Sequence, residues 1–448
     1  MDKIIIKDIL GVINGTLLFG NIEETLDSFS INTKEINKDD IFIGMKGDNV
    51  DGSKFYMDAF NNGAKGAIIN KGFYDHKEID NKFIIEVDDT VDALQKLAKY
   101  KRDMLNDIII VGVTGSVGKT STKDMIASVL SQKYNVLKTI GNHNNELGLP
   151  LTILRIKDEN VIVLEMGMSS LGEISLLSNI ARPTYGVITN VGTAHIGNLG
   201  SRENILKAKL EILDGLRDKL VINNDNDMLH NWYISTNPSN VVTFGINNDS
   251  DNKAYNIKYG DITTFTCNNE EYDVLVGGEA FVYNALSAIS IGKLCGLNTN
   301  EIKKGIEEFK LTKDRLQIIK TNDYTIIDDC YNANYDSMKE GLANLKKIDG
   351  DRKIAVLGDM LELGDFEEEL HRKVGKEVVN NNIDILVTVG NASKYIVDEA
   401  KDKVEVHSFD NNEDAINYLR SIVKKDDVVL VKASNGMKFM EIVNSLRG

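Results

Sequence analysis

From residue 107 onward the chain alternates short, almost wholly apolar runs with longer stretches in which apolar residues recur at helical spacing. Such runs suit strands buried on both faces, and their alternation with helices predicts an α/β protein with parallel sheets. Strands are expected at 108–113, 161–165, 186–190, 220–223 and 241–244. A small antiparallel insert follows, with 261–267 and 272–276 as its pair, and then helices at 282–296 and 301–309. A further α/β unit starts near Asp314, with strands at 324–328, 353–357, 385–389, 404–408 and 428–431. Ahead of all this, short strands and helices are punctuated by the turns Gly47-Asp48, Asp51-Gly52 and Asn62-Gly63, and a helix at 91–104 leads into the central unit. The pattern predicts three domains, at 1–106, 107–313 and 314–448, with the second boundary in Leu311-Thr312-Lys313-Asp314.

The first apolar run of the central unit ends in Thr114-Gly115-Ser116-Val117-Gly118-Lys119-Thr120-Ser121. A glycine-rich loop between a strand and a helix lets consecutive backbone N–H groups surround a polyphosphate, with the helix N-terminus aimed at the same anion. Lys119 would reach the β and γ phosphates, and the Thr120 hydroxyl would sit on Mg²⁺. The common P-loop spacing would need glycine at 113, which is valine; Gly112 and Gly115 frame the loop instead. That marks a subfamily writing its loop Thr-Gly-x-x-Gly-Lys-Thr.

Composition narrows the setting. The 448 residues exceed one core, and 42% hydrophobic with 27% charged residues is ordinary for a soluble protein. A net charge of −16 argues against nucleic acid or an anionic membrane as a partner. Cys267, Cys295 and Cys330 form no paired motif and read as buried thiols of a reducing cytosol. The acids flanking Cys330 would raise its pKa, so it is no nucleophile. Charges interrupt the N-terminal apolar run, and no stretch is long enough to span a membrane. The expected location is the cytoplasm.

Further polar residues fall at strand ends, where open α/β sheets place ligand groups. Glu165 ends the run at 161–165 and is placed to reach a Mg²⁺ beside the loop. His195 closes Thr189-Asn190-Val191-Gly192-Thr193-Ala194-His195 at the same sheet edge, where a neutral imidazole suits a second divalent ion. The stretch from Ser201 to Ile212 reads as an amphipathic helix with solvated lysines, and its spacing does not single out Lys209. Asp328-Asp329-Cys330-Tyr331-Asn332-Ala333-Asn334 packs acids and amides at another strand end, which fits ribose hydroxyls and a phosphate-linked metal better than it fits a mere Asx-rich turn.

The loop, together with Gly141-Asn142-His143-Asn144-Asn145-Glu146-Leu147-Gly148-Leu149-Pro150, Glu165-Met166-Gly167-Met168 and the run at 189–195, resembles the Mur ligases over essentially the whole chain. The run at 328–334 and Leu357-Gly358-Asp359-Met360-Leu361-Glu362-Leu363-Gly364 look like the member of that family that joins D-alanyl-D-alanine to UDP-N-acetylmuramoyl-tripeptide. The resemblance implies a UDP-sugar-binding N-terminal domain, a central ATP domain and a C-terminal Rossmann-like domain. It implies ATP-dependent amide ligation through an acyl phosphate, by a monomer, on small-molecule substrates. It further implies that residues 114–121 bind ATP, with Asn223 and Asn284 near the adenine, Arg315 facing the γ-phosphate and Asp329 the nucleotide. Thr120, Glu165, His195 and Lys209, the last as a carbamate, would organise Mg²⁺; Lys119, Lys209, His195 and Arg315 would be catalytic. Asn32, Thr33, Lys34, Asn144, Asn145, Tyr331, Asn332 and Asn334 would face substrate.

The sequence departs from the family at its edges. Asn32-Thr33-Lys34 stands for Asp-Ser/Thr-Arg, Asp51-Gly52-Ser53 for Asp-Gly-His, Ala280 for a histidine, Tyr335 for a proline, and Lys432-Ala433-Ser434-Asn435 for Lys-Gly-Ser-Arg. Two other readings remain open at this stage. One is a paralogue with the same chemistry on a different dipeptide, depsipeptide or carboxylate; the other is a catalytically silent nucleotide-binding protein.

Overall fold

The computed structural model describes residues 4–47, 49–76, 79–105, 107–260, 262–310 and 317–447. Three larger sheets follow one another along the chain, built from residues 16–87, 109–274 and 317–432. The first has five strands, in the order Thr16–Phe19, Phe83–Val87, Gly66–Asn70, Ile41–Ile43, Phe29–Ser30, parallel except at the Thr16–Phe19 edge. The helix Thr90–Asp103 leaves this sheet with Asp89 as its N-cap, accepting the N–H groups of Val91 and Asp92, and leads toward the central strand Ile109–Thr114.

The central sheet has nine strands. Its parallel body runs Val136–Lys138, Val161–Glu165, Ile109–Thr114, Tyr185–Ile188, Lys219–Asn223, Val241–Gly245. Ile109–Thr114 lies between Val161–Glu165 and Tyr185–Ile188, so the chain reverses its direction of travel across the sheet at that strand. This switch point opens a crevice above the strand ends, and the glycine-rich loop lies in it. Residues Val161, Ile162, Val163 and Leu164 are each 0% exposed, which is why the strand is apolar on both faces up to Glu165. The helices Lys119–Leu130 and Glu279–Leu294 pack together above the sheet.

The expected antiparallel pair is present, as Thr263–Cys267 against Glu270–Val274. It is not a separate insert, however. Asn252–Lys258, which the sequence pattern did not single out, pairs parallel with Val241–Gly245 and antiparallel with Thr263–Cys267, joining the hairpin to the main sheet. Its polar, half-exposed residues hide the strand from a search for apolar runs. The edge strands Val136–Lys138 and Gln317–Lys320 escaped because they are only three and four residues long and half exposed.

The third sheet runs Gln317–Lys320, Thr325–Asp328, Val428–Lys432, Lys353–Gly358, Ile385–Val389, Glu405–Phe409, parallel except for its first strand. The Leu311-to-Asp314 boundary and Arg315 lie outside the described residues. No helix among the described residues is long and apolar enough to cross a membrane.

Candidate active site

The loop after Ile109–Thr114 is braced by the strand beside it. Asn190 Oδ1 accepts the N–H groups of Ser116 and Val117 at 3.1 and 2.9 Å. The Thr189 hydroxyl and the Asn190 amide donate to the Val117 carbonyl at 2.7 and 3.0 Å. This accounts for a strand that ends at Ile188 where the apolar pattern reached residue 190. A Cβ on Gly115 would lie 1.9 Å from Thr189 Oγ1, so the close approach requires glycine there. Gly118, with φ 80°, turns the chain into the helix Lys119–Leu130.

Lys119 Nζ donates to the Gly115 carbonyl at 2.8 Å, curled over its own loop. The Thr120 hydroxyl donates to Glu165 Oε2 at 2.9 Å, and Asn144 Nδ2 donates to Oε1 at 2.8 Å. Glu165 is 2% exposed, and Lys123 Nζ stands 4.0 Å behind it while donating to the Thr139 carbonyl. The Thr120 and Glu165 oxygens thus form a fixed pair at the loop. Among the described residues no three His, Cys, Asp or Glu side chains gather as a metal site. Two protein oxygens fit Mg²⁺, which completes its shell with water and phosphate oxygens, better than a metal needing a full protein cage.

Lys209 differs from the solvated lysine that helical spacing predicts. On the helix Arg202–Leu210, Lys207 is exposed, but Lys209 is 1% exposed and has no hydrogen-bond or ion-pair partner among the described residues. Burial, with the neighbouring Lys119 charge adding to it, drives its ammonium well below the usual lysine range. His195 has a left-handed backbone, φ 59°, and its Nδ1 lies 2.6 Å from Glu362 Oε2 in the C-terminal unit. Burial lowers its pKa; Glu362 opposes this, Lys119 and Lys209 reinforce it, and the balance favours neutral imidazole.

A cavity of about 950 Å³ joins the central and C-terminal units. Of the residues singled out in the sequence, those at 116–121, Asn144, Asn145, Glu165, His195, Asn223, Asn284, Asp329, Tyr331, Asn332 and Asn334 line it. Asn284 Oδ1 accepts from the Thr122 hydroxyl at 2.8 Å, and Asn223 Oδ1 from the Asp225 N–H at 3.0 Å. Asp329 pairs with buried Lys432 at 2.7 Å, and Asn334 caps the helix Tyr335–Lys347. Thr114, Gly115 and Lys209 are not among the residues that line it. Asn32, Thr33 and Lys34 are not brought to it: Asn32 and Lys34 are exposed, and Asn32 Oδ1 accepts the Lys34 N–H at 3.1 Å.

Among the lining residues that the sequence reading did not single out, two on the helix Tyr335–Lys347 carry carboxylates. Asp336 Oδ2 accepts the N–H and hydroxyl of Thr193 at 2.6 and 2.8 Å, tying the C-terminal unit to the loop that carries His195. One turn on, Glu340 faces the cavity; burial and then Asp329 push its carboxyl up to about 7, against the pull of Lys432. Their spacing of four was the available signal, for it sets both acids on one helix face. The thiol of Cys330 is held well above the usual range by burial and then Asp328, as its acidic neighbours implied.

Three segments match family descriptions in chain order. Residues 26–102 match the Mur ligase family catalytic domain, 113–292 the Mur ligase middle domain, and 314–435 the Mur ligase glutamate ligase domain. A protein of Bacillus subtilis named UDP-N-acetylmuramoyl-tripeptide–D-alanyl-D-alanine ligase is 38% identical, over 100% of this chain and 99% of its own. The chain belongs to the Mur ligase family. A crystal structure of MurF from Acinetobacter baumannii superposes with a TM-score of 0.90 at 27% identity, covering 100% of this chain and 99% of that one. A Thermotoga maritima MurF ligase solved in complex with ADP gives 0.80 at 30% identity, covering 94% and 97%.

Proposed function

We propose that this Mur ligase uses ATP to join D-alanyl-D-alanine to UDP-N-acetylmuramoyl-tripeptide, in peptidoglycan precursor synthesis in the cytoplasm. The observation that carries the reading is the single cavity in which the P-loop, the Thr120–Glu165 oxygen pair and the Tyr331-to-Asn334 run converge. The three predicted domains would divide the work: 1–106 holds the UDP-sugar through Asn32, Thr33 and Lys34, 107–313 holds ATP, and 314–448 carries Arg315 and Asp329 to the nucleotide. The 38% identical Bacillus subtilis relative, named for these two substrates, supports the choice.

A carboxylate is a poor electrophile, so its oxygen first attacks the γ-phosphorus of ATP, releasing ADP and leaving an acyl phosphate. The dipeptide amine, having lost a proton, then attacks the acyl carbon, and inorganic phosphate departs. Lys119, with Arg315, offsets the charge as two anions approach, and the uncapped backbone N–H groups at the start of the helix Lys119–Leu130 donate to phosphate oxygens. Thr120 and Glu165 would hold Mg²⁺, which supplies further charge neutralisation when bound. Asn223 and Asn284 stand on the nucleotide side; Asn144, Asn145 and the amides of Asn332 and Asn334 present donors and acceptors to the peptide ends.

Lys209 is suited to carbamylation. Its uncharged amine would add to CO₂, form an N–C bond and release a proton, replacing a buried neutral amine by an oxygen anion beside Lys119 and His195. The working unit is a monomer. Mass-spectrometric ligation assays on a panel of UDP-sugar peptides and dipeptides test the reading. A product with D-alanyl-D-alanine on UDP-N-acetylmuramoyl-tripeptide is expected. Turnover with only another amine or acceptor establishes the paralogue, and absence of phosphate release under all combinations removes the enzyme.

A further inference from the structure

The run Gly358-Asp359-Met360-Leu361-Glu362-Leu363-Gly364 is a sequence signature without a task in the reaction described so far. In the structure it is where the C-terminal unit meets the loop that carries His195. Gly197 N–H donates to the Glu362 carbonyl at 3.2 Å, and a Cβ on Gly364 would lie 3.2 Å from Gly197 Cα. Glu362 itself has φ 63°, a left-handed conformation that costs a non-glycine residue energy and persists where surrounding contacts enforce it. That conformation delivers its carboxylate to His195 Nδ1 at 2.6 Å. An ionised carboxylate only accepts, so the ring hydrogen must be on Nδ1.

We propose that Glu362 is a positioning residue for the ligation: by taking the Nδ1 hydrogen it fixes the tautomer and tilt of His195 and leaves the Nε2 lone pair for the cavity the ring lines. It acts across the seam between two units, so His195 is set for a divalent ion only when the C-terminal unit is docked. The inference rests on the reading of the cavity as a nucleotide and metal site. Carboxylates that orient a ligating imidazole in this way typically matter about 10- to 100-fold in metal affinity or activity.

The test uses full-length protein with ¹⁵N-labelled histidine, His195 being assigned by a His195→Gln variant. The native protein should show Nδ1 protonated and Nε2 bare. Glu362→Ala should lose that preference and bind Mn²⁺, followed by electron paramagnetic resonance in the presence of ADP, about tenfold more weakly. Its kcat should fall by a similar factor with little change in the KM for ATP. Glu362→Gln retains a neutral acceptor oxygen and should keep the tautomer and most of the Mn²⁺ affinity. Glu362 is 58% exposed, so the alanine variant removes no core packing. An unchanged tautomer and Mn²⁺ affinity in Glu362→Ala overturns the proposal, even if stability falls. If His195→Gln binds Mn²⁺ like the native protein, the metal reading of His195 fails and takes this proposal with it. If His195→Gln loses Mn²⁺ but Glu362→Ala does not, only the role of Glu362 is lost.

Discussion

The phosphate loop and the Asn32-to-Lys34 turn are both polar segments proposed to hold an anionic ligand, and they are built in opposite ways. Around the loop the polar side chains are buried and tied to other elements: Thr120 is 6% exposed, Glu165 2% and Thr189 7%. At the turn, Asn32 and Lys34 are exposed, and the Asn32 side chain is spent on the Lys34 N–H two residues away. Burial makes each polar group around the loop costly to change, because a partner left behind loses water as well as its hydrogen bond. The turn carries no such penalty. The turn is one of the places where the sequence departs from the pattern of the Mur ligases it resembles, and the loop is not.

Four measurements sharpen or break this contrast. Lys119→Ala should reduce phosphate release at saturating ATP by at least about a hundredfold, since it removes a charge aimed at the reacting phosphates. Its thermal unfolding should move by only a few degrees, as the half-buried lysine belongs to no hydrophobic core. Ordinary activity in this variant would end the P-loop assignment. Lys209→Ala should be nearly inactive and regain activity with short carboxylic acids that fill the vacated space; a bare amine in a crystal of fully active, metal-loaded enzyme would refute the carbamate.

Lys432→Met tests burial in the C-terminal wall. It leaves Asp329 without its ion-pair partner and beside Glu340, and should cost about 3 kcal/mol in chemical denaturation. A loss under about 1 kcal/mol would mean that the wall relaxes as an exposed pair does. The smallest effect is expected at the turn. Lys34→Arg alone should not change the KM for the UDP-sugar peptide, because no carboxylate matches the guanidinium. Asn32→Asp with Lys34→Arg should lower that KM up to about tenfold with kcat nearly unchanged, the sign of uniform binding. No change in the double variant would place the sugar nucleotide elsewhere.

The parallel strands and the loop were legible in the sequence because strands buried on both faces must be apolar throughout, and a phosphate loop needs its glycines and lysine in fixed order. Asn252–Lys258 was not legible: it is half exposed and polar, and its place is set by the strands it joins. Lys207 and Lys209 show the same limit within a site. Both suit the outside of a helix, yet only the packing of the helix against the sheet and loop decides that Lys209 is sealed in. Glu362 lay in a quoted motif, but its contact to His195 spans 167 residues of chain and appears only once the two units are docked.

The seam between Gly197 and Gly364 has a mechanical consequence. A Cβ on Gly197 would lie 2.5 Å from the Glu362 carbonyl oxygen and 2.6 Å from the Gly364 nitrogen, so no side chain cushions the meeting of the two backbones there. Long side chains at such a joint would let its resting point drift with their rotamers. Bare backbone against bare backbone leaves the joint no such slack. The registration of Asp329, Tyr331 and Asn332 over the phosphate loop is therefore inherited from peptide geometry, the stiffest gauge a protein has.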